Sequence, residues 1–134
     1  MERNTRQREA VLTALEQAGH ALTPGEILAL AQASVASLNL STIYRHLNAL
    51  QDEARIVKVM LPGQAARFEA ACENEHHGAA HHHHHFHCEA CDRVYALHAC
   101  PGSMQELAPK GFVVDTHAIT LRGRCADCSA GRRP

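Results

Sequence analysis

Residues 76–98 read HHGAAHHHHHFHCEACDRVYALH. Nine of the chain's twelve histidines and two of its six cysteines fall in this stretch. Cys88 and Cys91 stand two residues apart, and a second CxxC pair, Cys125 and Cys128, lies near the C-terminus. Two such pairs, separated by a sheet-forming stretch, predict a single four-thiolate zinc site. Four thiolates close the coordination shell, so this site is expected to hold the fold together and not to catalyse. Thiols spaced for metal and set beside histidines point to a reducing compartment, hence the cytoplasm, and away from three disulfides.

C-terminal to that stretch, Val94–Leu97 reads as a strand leaving the first knuckle. Ser103 is placed to cap a short helix from Met104 to Ala108. Phe112–Asp115 reads as a strand, and His117–Leu121 continues it or forms the next. Residues 81–134 are thus expected to be a small α+β unit. It is too small to bury much alone, and a sheet edge continued across a two-fold axis would complete it. Along a strand, alternate side chains share a face. His81, His83 and His85 should face one way and His82 and His84 the other, so the run can feed two metal sites. A flexible histidine tract would also bind metal, but weakly and without a coupled conformational change.

Residues 71–80 read as a hinge or loop, and residues 1–70 as a separate helical unit. The first helix is expected over 5–18, capped by Thr5, with Val11, Leu12, Leu15 and Ala18 on its apolar stripe. Thr23-Pro24-Gly25-Glu26 opens a second helix with a capping box and proline in the first turn. Ile27, Leu28 and Leu30 form its buried face, and it ends near Ala33. Asn39 or Ser41 caps a third helix over 41–53. Ile43, Leu47 and Leu50 lie on one face there, while Thr42, Tyr44, Arg45, His46 and Asn48 project away or lie at its edges. Residues 55–60 and 65–69 form a hairpin about the turn Leu61-Pro62-Gly63. Three helices and a hairpin make a winged helix-turn-helix. Its third helix would enter a DNA major groove, with Ser41, Thr42, Tyr44 and Arg45 able to reach bases and phosphates. Arg3, Arg6, Arg8, Lys58 and Arg67 could supply phosphate contacts. The alternative reading of that helix is a solvated face.

The formal net charge of -1 counts only weakly against nucleic-acid binding, because a local stripe of arginine can dock a neutral protein. Five residues are Phe or Tyr and none is Trp, so the core must lean on Ala, Leu and Val. A core of that kind usually needs a metal or a partner chain. No apolar run approaches the roughly 20 residues of a membrane span.

Taken together, Thr5-Arg6-Gln7-Arg8, Ser41-Thr42-Ile43-Tyr44-Arg45, Arg67-Phe68-Glu69, His83 to Cys91, Phe112, His117 and Gly123 to Cys128 resemble the bacterial ferric-uptake-regulator family, in family order over nearly the whole chain. The resemblance is strongest to its zinc-sensing branch. It implies a homodimer that closes onto a palindromic DNA operator when metal loads and represses uptake genes. It also implies DNA contacts from Tyr44 and Arg45 and structural zinc on Cys88, Cys91, Cys125 and Cys128. The regulatory ligands it implies are drawn from His20, Glu69, Cys72, His83 and His85. A further site inside the dimerisation unit would take His82, His84 and His117, with Glu106 as a loose match for its acidic ligand.

Two positions depart from the family pattern. Ala96 stands where the iron and peroxide sensors carry a second carboxylate. Val57 and Lys58 stand where zinc sensors often place a histidine. In a loop longer than usual, His76 or His77 could substitute for a missing ligand. The expected function is a zinc-responsive repressor, not an enzyme, with zinc at both the structural and regulatory sites. Iron(II) or manganese at the regulatory site, or peroxide sensing, is the alternative within the family. A histidine-rich storage protein or a metal-dependent hydrolase is the alternative outside it. No HExxH spacing supports a hydrolase.

Overall fold

The computed structural model describes residues 2–72 and 83–132. The histidines at 76, 77, 81 and 82, and most of the expected hinge, lie outside the described residues. The chain divides into two compact units, Met1–Asn74 and Glu75–Pro134.

The first unit opens with α1 (Glu2–Ala18), which starts three residues before the expected cap, so Thr5 lies inside the helix. Its buried face is Gln7, Ala10, Val11, Leu12, Ala14 and Leu15. Gly19 follows with φ 73, a conformation that favours glycine, and ends the helix. In α2 (Pro24–Ala31), Thr23 accepts from the Glu26 amide and Glu26 reaches back to the Thr23 amide, a complete capping box. Ile27 is fully buried, whereas Leu30 is half exposed and lies off the core face. The helix is only eight residues long, so its apolar stripe is narrower than the sequence suggested.

Asn39 caps α3 (Leu40–Asp52) by accepting from the Thr42 amide at 2.9 Å. Ile43, Leu47 and Leu50 are buried as expected. His46 is buried too, which corrects its placement at the edge of the outer face. Strands β1 (Ile56–Val59) and β2 (Arg67–Ala70) pair antiparallel in the register Ile56↔Ala70, Val57↔Glu69, Lys58↔Phe68 and Val59↔Arg67. Leu22 adds to the hairpin by exchanging both backbone hydrogen bonds with Phe68 at 2.8 Å. Two residues cannot announce a strand by periodicity, so this tie was invisible in the sequence. One apolar core runs from α1 through Leu22, Ile27, Ile43, Leu47 and Leu50 to Ile56 and Phe68. The unit is a winged helix-turn-helix.

The second unit is a three-stranded sheet of order β4-β3-β5, with β3 (His84–Cys88), β4 (Val94–Leu97) and β5 (Thr120–Gly123). Strand β3 pairs antiparallel with β4 and parallel with β5. The helix expected over 104–108 is a single 3₁₀ turn, Gln105–Leu107, preceded by Met104 in the left-handed region at φ 61. That conformation at Met104 keeps it out of a helical first turn, so Ser103 has no α-helix to cap. Phe112–Asp115 forms no strand within the chain. Phe112 and Val113 are 64% and 79% exposed, and a strand needs a ladder partner, which they lack among the described residues. The unit ends in α4 (Ala126–Ser129).

Candidate metal centres and the DNA-reading face

The four-cysteine cluster is assembled by the ends of the sheet. After β3 the chain turns through Glu89 and Ala90, and the Asp92 amide donates to the Cys88 carbonyl at 2.8 Å. Asp92 adopts φ 67, a conformation Asp tolerates better than most residues. Its carboxylate meets His87 Nε2 at 2.6 Å and pins this turn. The Glu89 amide donates to the Gly123 carbonyl, tying the ends of β3 and β5 together. Cys125 then stands at the N-cap position of α4, one turn before Cys128. As a result the sulfurs of Cys88, Cys91, Cys125 and Cys128 all lie within 4.8 Å of one another.

The chemistry of this cluster fits a divalent cation. The Cys125 amide, then that of Cys91, donates to Cys88 and holds its thiol down at about 6. Burial, followed by the neighbouring sulfurs, pushes the Cys128 thiol up to about 12. Four crowded sulfurs cannot all ionise without a positive charge among them, and zinc supplies it while using all four as ligands.

The histidines of β3 divide by strand parity. His84 is buried, and its ring stacks on His117 with centroids 4.9 Å apart and planes 28° apart. The Ile119 amide donates to His84 Nδ1 at 3.1 Å. Cys100 Sγ lies 3.1 Å from His117 Nε2, and His84, Cys100 and His117 offer donor atoms within 4.8 Å of one another. Glu106, the acidic residue the sequence offered here, is exposed on the 3₁₀ turn and joins no donor cluster among the described residues. His82 lies outside the described residues.

His83, of opposite parity, sets its ring edge-on against His98 with centroids 4.6 Å apart. His98 escaped the sequence reading because it falls beyond the histidine run, just past the end of β4. His85 is half-buried, and Ala96 lies directly across from it in the β3·β4 ladder.

In the first unit, His20 Nδ1 lies 3.2 Å from the Ala21 carbonyl, which can only accept, so this nitrogen donates. Glu69 is buried on β2, and Cys72 is half-buried two residues after that strand. On α3, Ser41, Tyr44 and Arg45 are exposed and Thr42 is partly so. Arg6 and Lys58 are exposed as well. Arg8 pairs with Glu53 at the end of α3, and Arg67 is buried in the hairpin with Nη2 3.5 Å from Gln64 Oε1. Both arginines have roles inside the fold, where the sequence suggested phosphate contacts.

A winged helix-turn-helix and a small sheet with a four-cysteine cluster fit for a metal ion together mark the class of metal-binding, DNA-binding regulators. The chain belongs to the ferric uptake regulator family, whose model matches residues 2–122. It is 24% identical over 131 residues to the peroxide operon regulator of Bacillus subtilis, covering 95% of this chain and 84% of that protein. Among solved structures it resembles the ferric uptake regulator of Helicobacter pylori, described as having three functional metal binding sites. That match has 27% identity and a TM-score of 0.66, and it covers 92% of this chain and 79% of the other. The fold is also similar to that of a zinc-bound manganese uptake regulator, with 21% identity, a TM-score of 0.68, and coverage of 89% and 87%. The chain is a metal-responsive, DNA-binding transcriptional repressor of this family and not an enzyme. No described helix is long and apolar enough to cross a membrane.

Proposed function

We propose that the chain is a zinc-responsive repressor of metal-uptake genes, working in the cytoplasm as a homodimer on a palindromic operator. The observation that carries the choice of zinc is the β3·β4 ladder, where the residue facing His85 is Ala96. This strand pair presents imidazoles and no carboxylate. Manganese and iron(II) sites favour oxygen donors, whereas imidazole and thiolate favour zinc. Cys72 adds a thiolate to the same argument. The regulatory ligands are drawn from Cys72, His83 and His85, with His98 beside His83 as an added donor and His20 and Glu69 as further candidates. His84 and His117 belong to an additional metal site in the dimerisation unit. Cys88, Cys91, Cys125 and Cys128 hold the structural zinc.

DNA is read by Ser41, Thr42, Tyr44 and Arg45 at the first turns of α3, with Arg6 and Lys58 on phosphates. Arg8 acts indirectly by holding Glu53 at the far end of the same helix. Exposed Phe112 and Val113, with Leu121 on edge strand β5, support a two-fold partner in the second unit. Zinc loading raises operator affinity by binding the DNA-competent arrangement preferentially.

The test is a titration of protein whose four-cysteine site is already zinc-filled. Free zinc, iron(II) and manganese are buffered anaerobically at fixed salt, and binding to its own promoter region is read. Zinc alone switching on tight binding supports the proposal. If iron(II) or manganese does so while zinc does not, the metal assignment fails and buried Glu69 becomes the ligand to replace.

A further inference from the structure

Cys100 is exposed in the loop after β4, and nothing in the CxxC pattern accounts for it. Its sulfur stands 3.1 Å from His117 Nε2, on the side of the sheet where His84 stacks on the same imidazole. Two imidazoles and a thiol within 4.8 Å form a donor triangle of metal-site size. Glu106 does not enter it.

We propose that Cys100 is the third protein ligand of the additional site, that the site therefore selects zinc or cobalt(II) over manganese, and that loading it breaks the hydrogen bond from the Ile119 amide to His84. This rests on the additional site proposed above and names its donor set. The selectivity follows from donor softness: a thiolate between two imidazoles suits zinc and cobalt(II), and a carboxylate in its place would suit harder ions. Three protein donors leave the fourth position of a tetrahedral ion to water.

The effect on Ile119 follows from the imidazole itself. A neutral histidine has one nitrogen with a lone pair and one carrying hydrogen. A metal on either nitrogen of His84 leaves hydrogen on the other, so no acceptor remains for the Ile119 amide. Ile119 sits just before β5, and its carbonyl accepts from the His85 amide at 3.0 Å. Metal on His84 is therefore felt where β5 joins β3, one residue from the opposite-parity His85.

Cobalt(II) is the probe, used on full-length Cys72→Ser protein with zinc retained in the four-cysteine site. In that background the expected thiolate-to-cobalt absorption comes from Cys100. It should vanish in the Cys72→Ser/Cys100→Ser double variant and persist in Cys72→Ser/Glu106→Gln. Zinc content and dimer state report whether each variant has folded. With zinc, the Ile119 amide resonance should shift more than those of Val113 and Val114. Retention of the absorption without Cys100, its loss on Glu106→Gln, or an unmoved Ile119 amide at full loading overturns the proposal. Cys72→Ser/His117→Ala separates the two levels. If it binds as much cobalt as Cys72→Ser alone, there is no additional site and both readings fall. If it binds less while the absorption ignores Cys100, only the present proposal falls.

Discussion

Gln7 on α1 and His46 on α3 meet inside the winged-helix unit, with Oε1 3.1 Å from Nε2 and both residues buried. Arg45 Nη2 donates to the same oxygen at 3.4 Å, which identifies it as the amide oxygen and places the His46 proton on Nε2. The bond braces α3 against α1 directly beneath exposed Arg45, one of the residues proposed to read DNA.

Burial first, then the charges of Arg45 and Arg8, depress the His46 pKa below 6.5. The folded state therefore favours the neutral ring. His46's contribution is fully present above the unfolded value near 6.5, and it is lost as pH falls through the lowered folded value. Chemical denaturation of the wild type and His46→Gln between about pH 8 and pH 5 should show the wild type losing more stability on acidification. Parallel curves would refute the assignment.

Replacing Cys88 or Cys125 by serine leaves a buried hydroxyl among three thiols and opens the shell. The protein should lose about one zinc per chain and the ordered amide resonances of residues 84–97 and 120–128. Metal analysis and a heteronuclear correlation spectrum check this. Intact spectra after zinc removal would mean the sheet holds without it.

On α3, Arg45→Ala should weaken operator binding by about 1–3 kcal/mol and relax base preference. Lys58→Ala should weaken all sequences alike and lower the salt slope by about 1, since one fewer phosphate is neutralised. Quantitative footprinting across a salt series separates the two behaviours. A uniform loss in both variants would remove Arg45 from base reading.

Thr23→Ala deletes one half of the capping box and should cost about 1 kcal/mol of stability, with no direct effect on metal content. Urea denaturation monitored by helix signal measures it. A loss of zinc alongside would contradict the cap's local role.

The winged helix was largely legible because its signals are local. Thr23 and Glu26 cap within one turn, and Ile43, Leu47 and Leu50 repeat at helical spacing. The CxxC pairs likewise state their chemistry by spacing alone, and the structure brings them together. His46 was misread because its burial depends on Gln7, a residue far away in sequence. The strand expected at Phe112–Asp115 failed because alternation describes a face but supplies no ladder partner.

The sequence by itself determined the capped start of α2, the parity that separates His84 from His83 and His85, and the two CxxC pairs that form the four-cysteine cluster, since each signal is carried by residues a few positions apart. Only the tertiary structure decided which further side chain meets each histidine: His98 beside His83, Cys100 at the His84–His117 pair that the family resemblance had already implied, and Gln7 beneath His46. Those pairings are set by how β3, β4 and β5 register and how α1 crosses α3, and no local pattern encodes the register of a sheet or the crossing of two helices.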